Sequence, residues 1–572
     1  MTQSTATETA TIEPFGPYTA DDIAAFYDSG DWQDRVLYQL VAEKAAERGD
    51  QVFVTDGDVS LTYAEMYERG IRLAAGLQRL GVGHGDRVAV QLPNWAEFTE
   101  IVIALSRLGA ILLPIMPIFR HDEVGFSLAD SGAKVLIGPD LWHRFSHREL
   151  YLDLLAQIPT LEHVVIVRPE AGSDLGAAHS LDDLGAGSGS PADAMPLGEL
   201  DASLGDGVGP NEGFVIVYTS GTTSRPKGCY HTFNTYYAGS KALVDRLHVT
   251  EDDVFFNPSP VSHTTGLVTG FLVPLLVGGA THFMATWDPA TGMDRIRDHG
   301  CTMTVTSTTF LATVMQAYRP GEHDMSSMKY WICAGSPIPG SIVQGARTMF
   351  GGLSVLSLYG RSENLTTALC APEDAPEKSV MSDGRALPGA EIKVVDPTSG
   401  LELPRGEEGD VTYRGPSHMV SYFHNDIATA ELYTPDRFSR SGDLGYMDAD
   451  GFVRITGRTK DIIIRGGINI GSREVEDLLI THESVRDVAV VAMPDPRLGE
   501  RACAFIVVEP GHEPLSLASM QEFLRTKKIA VQKMPERIEA IDGLPMTPTG
   551  KVQKQLLRER IAATIADERA KA

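Results

Sequence analysis

The chain has 572 residues, 43% hydrophobic and 22% charged, which is ordinary globular composition and too much for one core, so at least two domains are expected. Its 49 Lys and Arg stand against 76 Asp and Glu, a formal charge of −27. That balance favours solubility and excludes a broad face for nucleic acid or anionic membrane, which would need the opposite sign. In chain order, Thr62 and Glu65 have capping-box spacing, and Leu73, Leu77 and Leu80 follow at helical spacing. Apolar runs at 88–92, 111–115, 135–137 and 164–167 read as strands with helical stretches between them, the rhythm of parallel sheets covered by helices. Residues 170–209 are rich in Gly, Ala, Ser and Asp and read as a surface excursion. A buried strand is expected at 214–218, shorter strands of a small barrel at 391–395 and 409–413, and a compact α+β unit beyond Arg458. Within that unit the pattern gives helices near 472–481 and 517–527 and strands at 488–493 and 504–508.

The five cysteines are far apart with no C-x-x-C pair, which fits a reducing compartment and offers neither a disulfide framework nor a zinc site. The polar, Thr-rich opening residues have no secretory leader pattern, and the terminal Ala-Lys-Ala is no peroxisomal address. The longest apolar stretch, 267–280, contains Pro274 and is too short to span a bilayer. A cytoplasmic protein without a transmembrane segment is the expectation.

Five segments carry chemistry. Thr219-Ser-Gly-Thr-Thr-Ser-Arg-Pro-Lys-Gly228 directly follows the 214–218 strand and concentrates hydroxyls, two glycines and a lysine, donors suited to phosphate. It lacks the G-x-x-x-x-G-K-[ST] spacing of a Walker A loop. Tyr359-Gly-Arg-Ser-Glu363 sets a hydroxyl and a carboxylate just after a strand-like run, a sensible place to hold Mg²⁺ against nucleotide phosphates. Ser441-Gly-Asp443 and Gly457-Arg458 offer a carboxylate for ribose hydroxyls and a guanidinium. Pro548-Thr-Gly-Lys551 displays a lysine on a Pro/Gly-rich loop. Each segment alone is no more than a turn or an exposed charge.

In this order the segments resemble the adenylate-forming superfamily of acyl- and aryl-CoA synthetases, peptide-synthetase adenylation domains and beetle luciferases. The resemblance runs from about Leu61 to Val552. It implies a large α/β N-terminal domain, residues 1–459, of helix-covered sheets with a small barrel-like subdomain, and a small mobile α+β domain, residues 460–572, carrying the catalytic lysine. It further implies ATP-dependent activation of a carboxylic acid to an acyl-adenylate, with Mg²⁺, and then thioester formation with coenzyme A.

By the same resemblance, Thr219, Ser220, Gly221, Thr222, Thr223 and Lys227 hold the β- and γ-phosphates, with Thr222 also near the metal. Gly335, Ser336 and Pro337 wall the adenine, and Tyr359 and Gly360 complete that side. Ser362 meets the α-phosphate, Glu363 ligates Mg²⁺, Asp443 accepts from the ribose with Arg458 alongside, and Lys551 binds the substrate carboxylate and α-phosphate oxygens. Lys460 is the hinge, and Gly466 and Gly467 line the pantetheine tunnel. His263 is the gate between tunnel and acyl pocket, and Thr264, Ser307, Phe310 and Gly335 line that pocket. Two residues depart from the pattern. Ser224 replaces a usual glycine, and Arg361 stands where an apolar residue is common, so its charge meets either the phosphates or the substrate.

No acidic residue lies between Asn257 and Leu267, where amino-acid-activating relatives place an aspartate for the substrate ammonium. An apolar or aromatic acid is therefore expected, because a buried unpaired ammonium is costly. Alternatives are a stand-alone adenylation enzyme that loads a carrier-protein phosphopantetheine, and a non-catalytic acyl-AMP binding protein. A homodimer is the expected assembly.

Overall fold

The computed structural model describes residues 15–185, 195–205, 207–219, 226–335, 338–466, 468–547 and 552–571. The capping box at Thr62 forms as expected: its hydroxyl accepts from the Glu65 amide and its own amide donates to the Glu65 carboxylate at 2.8 Å. The helix it starts, Tyr63–Arg79, buries Leu73 and Leu77. The expected strands follow at Arg87–Val90, Ile111–Pro114, Val135–Pro139 and His163–Val167. They form the parallel centre of an eight-stranded sheet, which also takes in Gly213–Thr219. A nine-stranded sheet is parallel from Val52–Asp56 through Ser354–Tyr359 and antiparallel at its edges.

Alternation along the strands decides the layering. Val88 and Val90 join the central core between the two sheets, with the helices Tyr63–Arg79 and Glu97–Leu108, while Ala89 faces a second core on the outer side. The outer face of the nine-stranded sheet has its own core around Phe256, Trp331 and Val355. The expected barrel-like subdomain is a four-stranded antiparallel sheet of Glu391–Val395, Gly409–Arg414, Ser439–Met447 and Val453–Arg458.

The described parts of the 170–209 segment hold more regular structure than their composition predicts. They contain His179–Ser180, Leu181–Leu184 and Leu197–Ser203, and bury Leu181, Leu184, Leu200 and Leu204. Isolated leucines without periodicity gave no signal. They are buried by contact with Tyr63–Arg79, where a Cβ on Gly76 would come within 2.1 Å of the Leu184 carbonyl oxygen. Beyond Arg458, Ser472–Leu479 and Leu517–Thr526 pack on one face of a five-stranded sheet built on Val485–Asp495 and Gly499–Val508. The final helix, Lys554–Lys571, covers the other face through Leu557, Ile561 and Ile565. Its sparse apolar spacing had not marked it as a helix. Among the described residues no helix is long and apolar enough to cross a membrane.

Candidate functional site

Several of the expected site residues lie beyond the carboxyl ends of parallel strands, where open α/β sheets leave room for ligands, while Asp443 and Arg458 lie on an antiparallel pair. Ser307, Gly335 and Gly360 follow Met303–Thr306, Tyr330–Ala334 and Ser354–Tyr359, three strands that neighbour one another. Two of these positions require glycine. Gly335 has φ +79°, and a Cβ on Gly360 would sit 2.1 Å from the Leu365 carbonyl oxygen. In the other sheet, Gly213–Thr219 and Lys227–Thr232 form an antiparallel hairpin with Thr219 opposite Lys227, and the Thr219 hydroxyl donates to the Lys227 carbonyl at 3.3 Å. The ends of the expected phosphate loop are thus pinned. Ser220, Gly221, Thr222 and Thr223, together with Ser336, Pro337, Gly467 and Lys551, lie outside the described residues.

Asp443 is buried where two strands meet, its register partner being Arg458. One carboxylate oxygen accepts from the Tyr359 hydroxyl at 2.6 Å and the other pairs with Arg458 Nε at 2.9 Å. The Ser441 hydroxyl accepts from the Asp443 amide at 2.9 Å, and Asp410 accepts from the Gly442 amide at 3.2 Å, so the Ser-Gly-Asp turn is fixed from below. A carboxylate has about four acceptor positions, so Asp443 keeps capacity for two ribose hydroxyls.

Glu363 is held from two sides. Its carboxylate accepts from the Tyr422 hydroxyl at 2.8 Å, and its backbone carbonyl accepts from the Met419 amide at 2.7 Å. Burial opposes its charge, but the Arg361 guanidinium and the Tyr422 hydroxyl outweigh burial and leave its pKa below the ordinary carboxylate value. The Tyr422 phenol is pushed well up, by burial first and then by Glu363. Lys227 lies over the Tyr422 ring, 4.9 Å from its centroid. Ser362 is anchored through its carbonyl, which accepts from His231 Nε2 at 2.8 Å, and burial holds that imidazole down to about 4, neutral at physiological pH.

His263 caps the short helix Thr264–Leu267, its Nδ1 accepting from the Thr265 amide at 3.2 Å. That helix runs into a π-turn, Val268–Leu272, a local irregularity that often accompanies function. The Gly270 backbone allows it to approach Asn257, since a Cβ there would lie 2.2 Å from the amide nitrogen. Asn94 fixes the preceding segment by donating to the Asn257 and Ser259 carbonyls at 3.0 Å and accepting from the Val261 amide at 2.8 Å. Thr264 is buried, and Phe310 packs against Trp287 with ring centroids 4.8 Å apart.

Lys460 lies in the 3-10 turn Thr459–Asp461 directly after Val453–Arg458. Gly466 has φ +57°, and its amide donates to the Leu498 carbonyl at 2.8 Å. Beside Lys551, Met546 pairs with Val552 and the Gln553 amide donates to the Pro545 carbonyl at 2.7 Å, which fixes both sides of that loop. Sequence reasoning missed Tyr422, His231 and Asn94. No charge or spacing pattern marks them, and Tyr422 reaches Glu363 only because Ser421–Tyr422 pairs with Lys227–Thr232 across about 190 residues of chain.

Parallel strand ends, a pinned hairpin at Thr219 and Lys227, and a Tyr359–Asp443–Arg458 cluster around a buried carboxylate are the features of the site, and the comparisons place the chain in a class of α/β enzymes that bind AMP. A family model of AMP-binding enzymes matches residues 41–423, and a model of the AMP-binding enzyme C-terminal domain matches residues 474–551. The chain is 35% identical to a medium-chain fatty-acid–CoA ligase of Escherichia coli, over 95% of this chain and 94% of that one. It is 31% identical to a 2,3-dihydroxybenzoate-AMP ligase of Bacillus subtilis, over 96% and 98% of the two chains. The crystal structure of an anthranilate CoA ligase with anthranoyl-AMP superposes with TM-score 0.81 at 25% identity, covering 93% of this chain and 98% of that one. The chain belongs to the AMP-binding enzyme family.

Proposed function

We propose that the protein activates an apolar or aromatic carboxylic acid with ATP, releasing pyrophosphate, and passes the acyl group to coenzyme A. The observation that carries this reading is the Tyr359–Asp443–Arg458 cluster, which links a carboxylate suited to ribose hydroxyls to the strand end that leads into Glu363. Attack of a carboxylate on the α-phosphate brings two anions together, so charge neutralisation and positioning supply most of the catalysis. Lys551 binds the attacking carboxylate and the α-phosphate oxygens, Ser362 orients the same phosphate, and Asp443 fixes the ribose. The loop at 219–227 holds the departing pyrophosphate.

Magnesium fits this site. Mg²⁺ is usually held by one or two carboxylates together with substrate phosphates. Among the described residues no group of three or more His, Cys, Asp or Glu could hold a metal without substrate. Glu363 and the Thr222 hydroxyl would hold the ion, which when bound supplies positive charge to the phosphates.

In the second step the small domain, residues 460–572, turns about Lys460. Gly466 and Gly467 then replace Lys551 at the site, His263 opens, and the thiol reaches the acyl-adenylate. Thr264, Ser307, Phe310 and Gly335 line the acyl pocket. The missing acidic residue near His263 and the likeness to fatty-acid and aryl-acid ligases favour an apolar or aromatic acid. The likeness, at 31% identity, to a 2,3-dihydroxybenzoate-AMP ligase, whose name includes no coenzyme A, leaves a second reading, in which a carrier-protein phosphopantetheine is the acceptor.

The test is pyrophosphate release across a panel of carboxylic acids, run with free coenzyme A and with pantetheinylated carrier proteins. Acid-dependent release with an apolar or aromatic acid, followed by a CoA thioester, is the expected result. Exchange with unmodified amino acids alone would overturn the substrate class, and thioester on carrier proteins alone would select the second reading.

A further inference from the structure

Arg361 is the residue that the family resemblance does not account for. Its guanidinium donates to the Arg440 carbonyl at 2.9 Å and to the Ser439 hydroxyl at 3.1 Å, both on the Ser439–Met447 strand that also carries Asp443. Its Nε is buried without a hydrogen-bond partner among the described residues. Both acceptors are neutral, and no carboxylate of the described residues lies within 4.0 Å of Arg361. The charge is held in place and lowers the Glu363 pKa across more than 4.0 Å, with no carboxylate in a close ion pair with it.

The neighbouring cations differ. Arg458 is committed to Asp443 at 2.9 Å and Arg440 to Asp410 at 3.6 Å. Lys227 rests on the ring of Tyr422, whose hydroxyl donates to Glu363. Arg361 therefore lies between Tyr359 and Glu363 in sequence, tied to the Asp443 strand, as a fixed positive charge that acts on Glu363 without a close ion pair among the described residues. An unpaired guanidinium in a mostly buried site is costly unless an anion arrives to use it.

We propose that Arg361 is a resident cation of the nucleotide-phosphate site, held by Ser439 and Arg440 so that it balances phosphate charge whether or not a metal is bound. The proposal rests on the AMP-binding reading above and adds to it a residue whose charge, not shape, sets affinity for the phosphate.

The experiment compares binding of AMP and of adenosine by calorimetry, in Mg²⁺ and in EDTA, to the wild type, Arg361→Met and Arg361→Lys, with thermal unfolding recorded for each. Methionine keeps much of the length and removes the charge. Lysine keeps the charge and gives up the forked pair of hydrogen bonds. The resident-cation role predicts that Arg361→Met weakens AMP by about 10-fold in EDTA, the change that ~1.4 kcal/mol of lost attraction produces. The loss should be smaller in Mg²⁺, and adenosine should bind within about 2-fold of wild type. Arg361→Lys should keep most of the preference for AMP, and it remains informative if Arg361→Met does not fold. Parallel loss of AMP and adenosine, or no loss of either, overturns the proposal, as does an Arg361→Lys protein that has lost the AMP preference. Failure of the wild type to bind AMP or adenosine would instead overturn the nucleotide-binding reading beneath it.

Discussion

The site at Glu363 and the junction at residues 458–473 are held together in different ways. Around Glu363 and Asp443, side chains from four strands converge: Tyr359, Tyr422, His231 and Arg458 each bond directly to a site residue or its backbone. At the junction, the contacts are polar and few. Arg473 donates to the Ile455 carbonyl, and Arg454 pairs with Asp477 at 3.3 Å. The apolar cores do not merge across this boundary, since the clusters that contain Ile463 to Ile565 hold no residue before Ile463. A densely bonded site keeps its geometry, and two cores joined by a few polar contacts can separate without exposing apolar surface. That difference supports the proposed division of chemistry between a fixed half and a moving half.

The sharpest way to break the comparison is to remove the moving half's lysine. Lys551→Ala should suppress adenylate formation by about 10³-fold or more, since it deletes the cation that meets both anions. Supplied acyl-adenylate should still become thioester at near wild-type rate. Equal loss of both half-reactions would show that the two halves do not divide the chemistry. On the fixed side, Glu363→Gln keeps size and loses charge, and overall turnover should fall by about 10²-fold. Unchanged turnover at limiting Mg²⁺ would remove Glu363 from the metal site.

Much of the fixed half was legible in the sequence because its signals are local. The Thr62 capping box and the apolar run at 88–92 each declare an element within a few residues, and the glycines at 335 and 360 are reached through the family's motifs. Asp443 and Arg458 could be singled out because a turn and a charge mark each of them. What stayed hidden depends on distant pairing. Tyr422 enters the site only through strand pairing with Cys229, and Arg361 gains meaning only once Ser439 and Arg440 are seen beside it. The 170–209 segment was misread for the same reason, because its leucines are buried by a helix more than one hundred residues earlier.

The junction can be probed at Arg473, which enters the interface from Ser472–Leu479 and is buried. Its Nε and second terminal nitrogen lack hydrogen-bond partners among the described residues, with Nε 3.8 Å from an Asp477 oxygen, so the side chain is incompletely satisfied here. Arg473→Met should shift the balance between poses by about 10-fold, the scale of one charged hydrogen bond. The two half-reactions, assayed separately, should then change in opposite directions. Movement in the same direction would mean that Arg473 supports folding and not the choice of pose.

The smallest effect tests whether the fixed half carries its own pH dependence. His231 and His418 are buried in it, and burial holds their pKa values to about 4 and about 3, below the ordinary histidine value of about 6.5. Between the folded and unfolded values, the unfolded chain binds a proton that the folded chain refuses, so stability rises with pH across that window. Read the other way, stability is fully present above about pH 6.5 and is lost as pH falls toward 4. His231→Asn keeps a donor for the Ser362 carbonyl and removes one titrating ring. It should flatten the stability–pH slope between those values by about 1.4 kcal/mol per pH unit, one proton's worth. All five tryptophans, from Trp32 to Trp331, precede the junction, so tryptophan fluorescence during urea unfolding reports the fixed half alone. An unchanged slope would mean that His231 is not kept neutral by its burial, and that the hydrogen bond to Ser362 holds the site by a different charge state.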